Sequence, residues 1–192
     1  MEQQERFEMI DRLKEFPHEF ETNFTAQNDR MAALTVVEQN GAYLQYAARH
    51  IRDDKEVVMA AVENWGPAVM YATPKMKNDP EVGLEAVRRN GKMLAYLSDN
   101  LRNSPRIVKA ALKQTPAAEQ YIGVKLQERM NGIEGDLSPL DKITEIRKEN
   151  WLEYQEQLRL LRLEKQREVE PKRDRGSIPL SISRQEGKGL ER

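Results

Sequence analysis

The side chains that carry most biological chemistry are sparse in this chain and poorly spaced for it. There is no cysteine, which removes disulfides, thiolate metal ligands and a thiol nucleophile. The only histidines, His18 and His50, stand far apart, whereas a metal site needs several ligands at fixed spacing. Asp53 and Asp54 are adjacent carboxylates, a pair that acid–base chemistry can use, but Asp54 recurs in a helix-capping role described below. No phosphate-binding glycine loop, dinucleotide fingerprint or H-E-x-x-H helix occurs. The expectation is a protein that is not an enzyme, with no cofactor and no metal.

What does recur is positive charge. His50, Lys75, Asn100 and Lys125 follow one another at intervals of 25 residues, as do Arg52, Lys77, Arg102 and Gln127. Stacked, these columns would form a basic ridge suited to RNA, phosphate or an acidic peptide. Cations at helix C-termini also complement the helix dipole, by about 0.3–1 kcal/mol each, and this structural role is the favoured reading. The net charge of −1 gives no global field toward nucleic acid, which disfavours that partner.

The ridge implies a repeat, and the repeat is plain in other columns. Gly41, Gly66 and Gly91 are spaced by 25, with Pro116 on the fourth beat. Tyr46, Tyr71, Tyr96 and Tyr121 keep the step, and so do Ile51, Met76, Leu101 and Leu126, and Asp29, Asp54, Asp79 and Ser104. Each unit reads as two short helices. The first is capped by the Asp or Ser column, which can accept a hydrogen bond from an orphan helix N–H. Pro80 and Pro105 then occupy the first helical position, where proline costs nothing. The glycine is expected to end this helix in the left-handed conformation. The second helix carries Leu44, Tyr46, Ala47 and Ile51 and their equivalents, and the Tyr column is read as core.

Helices this short are unstable alone. A unit of this size buries its apolar face only by stacking, the logic of an α-solenoid. The expected fold is therefore all-α, a short α-solenoid of four two-helix repeats over residues 29–130. Residues 1–28, with Phe7, Ile10, Leu13, Phe16, Phe20 and Phe24, fit the columns poorly and are read as an N-terminal helical cap. The pattern D-x-E-V-V-x-A-A-V-x-x-x-G-x-x-x-x-Y-A, as in Asp54 to Ala72, resembles the tandem bacterial repeat known as domain of unknown function 4116. The resemblance covers about half the chain and weakens in the fourth unit, where Pro116 replaces Gly and Glu119 replaces an apolar residue. It implies a small helical repeat like those of multi-repeat bacterial proteins, some from host-associated species. It implies no activity and no catalytic residues.

A loop over 131–137 leads to Ser138-Pro139-Leu140-Asp141, a helix start, and a long amphipathic helix over 138–169. Trp151, Tyr154, Leu158 and Leu161 step by 3, 4 and 3 along it, a coiled-coil-like seam. Two readings stand: the seam folds back to cap the solenoid, or it projects and pairs with a partner helix. Residues 170–192 have no periodicity and a positive balance, and are expected to be a disordered basic tail.

Trp65 departs from the repeat. It fills the column held by Asn40 and Asn90, with Pro67 two residues on. It either lies flat over a neighbouring unit or anchors a partner, and Trp65→Asn is expected to leave the fold intact. The functional expectation is an interaction (scaffold or adaptor) module that binds a protein or peptide. The alternatives are a bacterial effector or mobile-element protein exported through its tail, and a nucleic-acid binder using the ridge. The charged N-terminus lacks a secretory h-region and no apolar run could span a membrane, so a cytoplasmic location is expected.

Overall fold

A computed structural model describes residues 3–169, with side chains through Glu164. The tail over 170–192 lies outside the described residues. The chain begins with α1 (Gln3–Glu15), a 3-10 helix over Pro17–Glu21 and the single turn α2 (Phe24–Gln27). The first repeat runs α3 (Arg30–Gln39), a 3-10 helix over Gly41–Tyr46 and a turn at Ile51–Asp53. The second runs α4 (Lys55–Asn64), Gly66–Tyr71 and α5 (Pro74–Lys77). The third runs α6 (Pro80–Arg89), Gly91–Tyr96 and α7 (Asp99–Arg102). The fourth runs α8 (Pro105–Gln114), Pro116–Tyr121 and α9 (Val124–Asn131). Then comes α10 (Pro139–Val169). The fold is an all-α solenoid of helical repeats.

The expected second helix of each unit is thus two pieces, and the break has a physical reason. The residue after the tyrosine is extended, with φ −64° and ψ 156° at Ala72. The extended residue turns the next N–H out of its own helix and toward the preceding unit. Ala48, Thr73, Ser98 and Gly123 donate to the carbonyls of Gln27, Arg52, Lys77 and Arg102, at 2.9, 3.2, 3.1 and 2.9 Å. An unbroken helix would keep those N–H groups to itself; the break spends them on joining units. It also frees Thr73 and Ser98 to cap the short helices that follow, through Met76 N and Leu101 N.

The aspartates of the cap column behave as the sequence suggests and do more, whereas Ser104 makes no side-chain capping bond. Asp54 accepts from the N–H groups of Glu56 and Val57, at 3.0 and 3.1 Å. Arg30 of the preceding unit donates to the same carboxylate at 2.9 Å and reaches Glu56 as well. Lys55 repeats the bridge to Asp79 and Glu81, at 3.0 and 2.5 Å, and Arg6 bridges to Asp29 at 2.5 Å. Burial alone would raise the Asp54 carboxyl pKa, but the Arg30 bond and the helix N–H groups outweigh it and hold it below the usual aspartate value. The ladder stops where Pro80 replaces the base and Ser104 and Arg106 replace the acids.

The glycines are not left-handed: among the described residues only Gly135 has positive φ. Glycine is needed because the next unit's helix passes too close for a side chain. A Cβ at Gly66 would lie 2.7 Å from Arg89 Cβ. At Gly41 and Gly91 it would overlap the carbonyls of Ala61 and Ala111, the same column one unit later. The glycine N–H is taken by that neighbour too, with Gly41 N donating to Asn64 Oδ1 and Gly91 N to Gln114 Oε1, both at 2.9 Å. Pro116 and Glu119 now make sense. Both are exposed, because the fourth 3-10 helix has no further unit packed on it among the described residues.

Val36, Val37, Leu44 and their equivalents form one continuous apolar core, and no polar or charged residue is buried among those described. The tyrosine column lies at the edge of this core. Tyr46, Tyr71 and Tyr121 are half-buried and Tyr96 is 45% exposed. The N-terminal segment is closer to a repeat than its composition suggests. It has the same order of elements, Ala26 is buried in the Ile51/Met76 column, and Asn23 caps α2 through Ala26 N.

The chain divides into two compact units after Trp151. In the first, α10 starts on the expected cap, Ser138 Oγ accepting from Asp141 N. Its residues Ile143 and Ile146 are fully buried in the repeat core, and Thr144 Oγ1 accepts from Lys109 Nζ at 2.9 Å. The second unit, from Leu152, contributes the remainder of α10 to the described residues.

Candidate interaction surfaces

The Trp65 column shows why this residue departs from the repeat. Asn40 and Asn90 each accept a bond from the N–H two residues on, Ala42 at 3.0 Å and Lys92 at 3.1 Å. In the second unit that position is Pro67, which has no N–H. With no donor to satisfy, the cap is dispensable and the column can hold a tryptophan. Trp65 stacks on Tyr71 of its own unit, with ring centroids 6.4 Å apart and planes at 29°, and stays 36% exposed. Its ring partner is thus within its own unit, while its Cβ stands beside Gly41 of the preceding unit.

Trp65→Asn alone therefore gains no cap. It should cost about 1–2 kcal/mol through the lost ring contact and burial while leaving the fold intact. Pro67→Ala exposes an uncapped N–H in the wild-type background, but a capped one beside an Asn. A double-mutant cycle by thermal denaturation should give a favourable coupling of about 1 kcal/mol. Zero coupling would refute this account of the column.

The basic columns divide by burial. His50, Lys75 and Lys125 are exposed, whereas Arg52, Lys77 and Arg102 are half-buried between units. Arg52 Nη1 donates to Tyr71 O at 3.3 Å, and Arg102 pairs with Asp99. Burial, with the nearby charge of Arg52, holds Lys77 below the usual lysine pKa. A depression of about 580 Å³ is lined by residues including His50, Asp53, Thr73 and Lys75. Asp53 accepts from Thr73 Oγ1 at 2.5 Å and Lys75 Nζ at 3.2 Å, bonds that hold its carboxyl below the usual aspartate pKa. The ridge residues thus sit along one series of turns, but a carboxylate already partners Lys75, and Arg52, Lys77 and Arg102 are half-buried.

The seam residues lie on α10. Trp151, the last residue of the first unit, is 60% exposed. In the second unit Tyr154 and Leu161 are 55% and 53% exposed, and Leu158 is half-buried. Earlier on the same helix, Ile143 and Ile146 are the residues buried in the repeat core. Sequence reasoning also passed over a cluster on the long helices. Arg88, Arg106, Lys109, Lys113 and Arg147 line a groove of about 570 Å³. The available signal was a change of sign within columns: Glu56 and Glu81 give way to Arg106, and Glu38 and Glu63 to Arg88 and Lys113.

The family model described as Domain of unknown function (DUF4116) matches residues 32–77, 54–102 and 79–127, three overlapping windows advanced by roughly one structural unit each. The chain belongs to the DUF4116 family. No curated protein and no solved structure matches it significantly. The overlapping DUF4116 matches have the logic of the fold, since each window spans more than one unit and so includes the interface between neighbours. Among the described residues no helix is long and apolar enough to cross a membrane.

Proposed function

We propose that this DUF4116 protein is a non-enzymatic protein-interaction module that engages a partner through the α10 segment beyond Trp151. The supporting observation is the exposed apolar character of that segment among the described residues. Tyr154, Leu160 and Leu161 are each more than half exposed within a few turns of helix. Exposed aromatic and leucine side chains clustered on one helix mark association surfaces more often than solvated faces. An amphipathic helix of this kind docks by laying its apolar residues into a groove or against another helix. On this reading no catalytic step is assigned to the repeats.

A photo-crosslinking residue placed at Tyr154 or Leu161 in the full chain, expressed in its source cells, tests this. A discrete adduct from these positions, absent from a probe at exposed Lys125, is the expected result. The adduct's protein, once purified, should lose at least tenfold in affinity when Tyr154, Leu158 and Leu161 are changed to Ser. Adducts that are the same from Lys125 as from the seam, or binding indifferent to the triple change, would overturn the proposal.

A further inference from the structure

The groove between α6, α8 and the first turns of α10 concentrates positive charge without neutralising it. Five cations line it, together with Leu84 and Ala110, and no carboxylate does. Arg88 has a loose partner in Glu85 at 3.9 Å, an acid that bonds Arg89 more closely at 2.8 Å. Lys109 donates to the neutral Thr144 hydroxyl. Arg106, Lys113 and Arg147 have no ionic or hydrogen-bonded partner among the described residues. Like charges gathered this closely repel one another, so the arrangement favours an anion between them.

The repeat shows that this charge is a local departure from a working pattern. Arg106 stands where the two preceding units carry Glu56 and Glu81. Lys109 stands where the three preceding units carry Leu34, Met59 and Leu84. Lys113 and Arg88 stand where the first two units carry Glu38 and Glu63. The units before them fold with acid or apolar residues in these columns, so stacking does not demand the cations.

Size and lining narrow the ligand. The volume suits a small molecule, within the range of about 300–1,000 Å³ typical of such sites. No aromatic side chain lines the groove, so the stacking that holds single-stranded nucleic acid, about 1–3 kcal/mol per base, is missing. A peptide would need about four consecutive acidic residues, an extended length of roughly 13 Å, to match the charge. A terminal phosphate brings about −1.5 to −2 in a compact group with several acceptor oxygens, each linked phosphate adds further negative charge, and arginine binds such groups in bidentate fashion. We propose that this groove is a binding site for a compact polyphosphate group, two or more linked phosphates held by Arg88, Arg106, Lys109, Lys113 and Arg147. Inorganic tripolyphosphate and the phosphate chain of a nucleoside triphosphate share this chemistry.

Titration calorimetry of the full chain at low salt tests it, with tripolyphosphate, adenosine triphosphate, orthophosphate, an oligothymidylate and a hexaglutamate peptide as probes. Tripolyphosphate should bind at least about tenfold more tightly than orthophosphate. Equal binding of the nucleotide would assign recognition to the phosphate chain; tighter binding would add a contact to the nucleoside. Arg106→Glu with Lys113→Glu, which restores the residue type of earlier units, should weaken tripolyphosphate at least tenfold with the helical signal unchanged. Lys109→Met, the residue of the second unit, should weaken it severalfold, and Lys75→Glu should change nothing. If the double reversal fails to fold, Arg106→Gln with Lys113→Gln replaces it. The proposal is overturned if tripolyphosphate binds no better than orthophosphate or if the variants bind like wild type. Tighter binding of the oligothymidylate or hexaglutamate overturns it in favour of that class.

Discussion

Gly91→Ala should destabilise the repeat domain by about 3 kcal/mol, the upper part of the usual range for an added methylene in a packed interior. The backbone conformation is not the obstacle, because φ at this glycine is not positive. The added carbon would overlap the Ala111 carbonyl and lie 2.9 Å from Thr115 Cβ. The clash with Ala111 is with backbone, so no rotamer change relieves it. Relief requires the third and fourth units to separate, which also stretches the bond from Gly91 N to Gln114. Gly132 makes the comparison. It adopts ordinary right-handed helical angles, and its added Cβ would come no closer than 3.5 Å to a neighbour. Gly132→Ala should therefore stabilise by about 0.4–1 kcal/mol, by reducing the freedom of the unfolded chain. Urea denaturation of both variants separates the two cases. Equal effects would show that inter-unit approach is not what the glycine column serves.

The second large effect is expected at the C-terminal end of the core. Ile143→Ala and Ile146→Ala should each cost about 2–5 kcal/mol, as buried aliphatic truncations do. Stacked repeats are coupled mainly to their nearest neighbours, so the damage should be local. Hydrogen exchange should accelerate in α8 and α9 well before α3 and α4. Uniform acceleration along the stack would mean that the repeats unfold as one unit. By contrast Leu161→Ser, on an exposed face, should change stability by less than about 0.5 kcal/mol.

Particular residues show what could be read from the sequence and why. The cap column was legible because capping is local: Asp54 needs only the N–H groups two and three residues along. The glycine column was visible as a period, but its cause was misread. A left-handed stop and a close approach both select glycine, and only the position of Ala61 or Ala111 one unit later tells them apart. The tyrosines were assigned to the core because they recur. Recurrence marks an equivalent place in each unit, which here is the partly exposed edge of the core. Trp65 could have been paired with Pro67 from sequence, had the Asn column been recognised as a cap for the residue two positions on.

The seam and the basic columns show the limit more sharply. Amphipathic spacing over Trp151–Leu161 identifies a helix face, but spacing is the same whether that face is covered or bare. Ile143 and Ile146 lie on the same helix and are the residues buried. The basic columns were found because equal spacing in sequence becomes alignment in a stack. The groove of Arg106, Lys109 and Lys113 was overlooked because its members belong to different columns and are completed by Arg147 from outside the repeat.

The sequence by itself determined the period, the helix starts and the apolar columns, and with them an all-α stack of repeats. These depend on contacts within a few residues or on a rule applied identically to each unit. The tertiary structure decided which face of each unit meets the next. That choice sets why the glycines must be glycines, where the tyrosines rest, which part of α10 closes the core and which cations share a groove. Each of these depends on distances between residues about one repeat or more apart, and only the packed chain defines them.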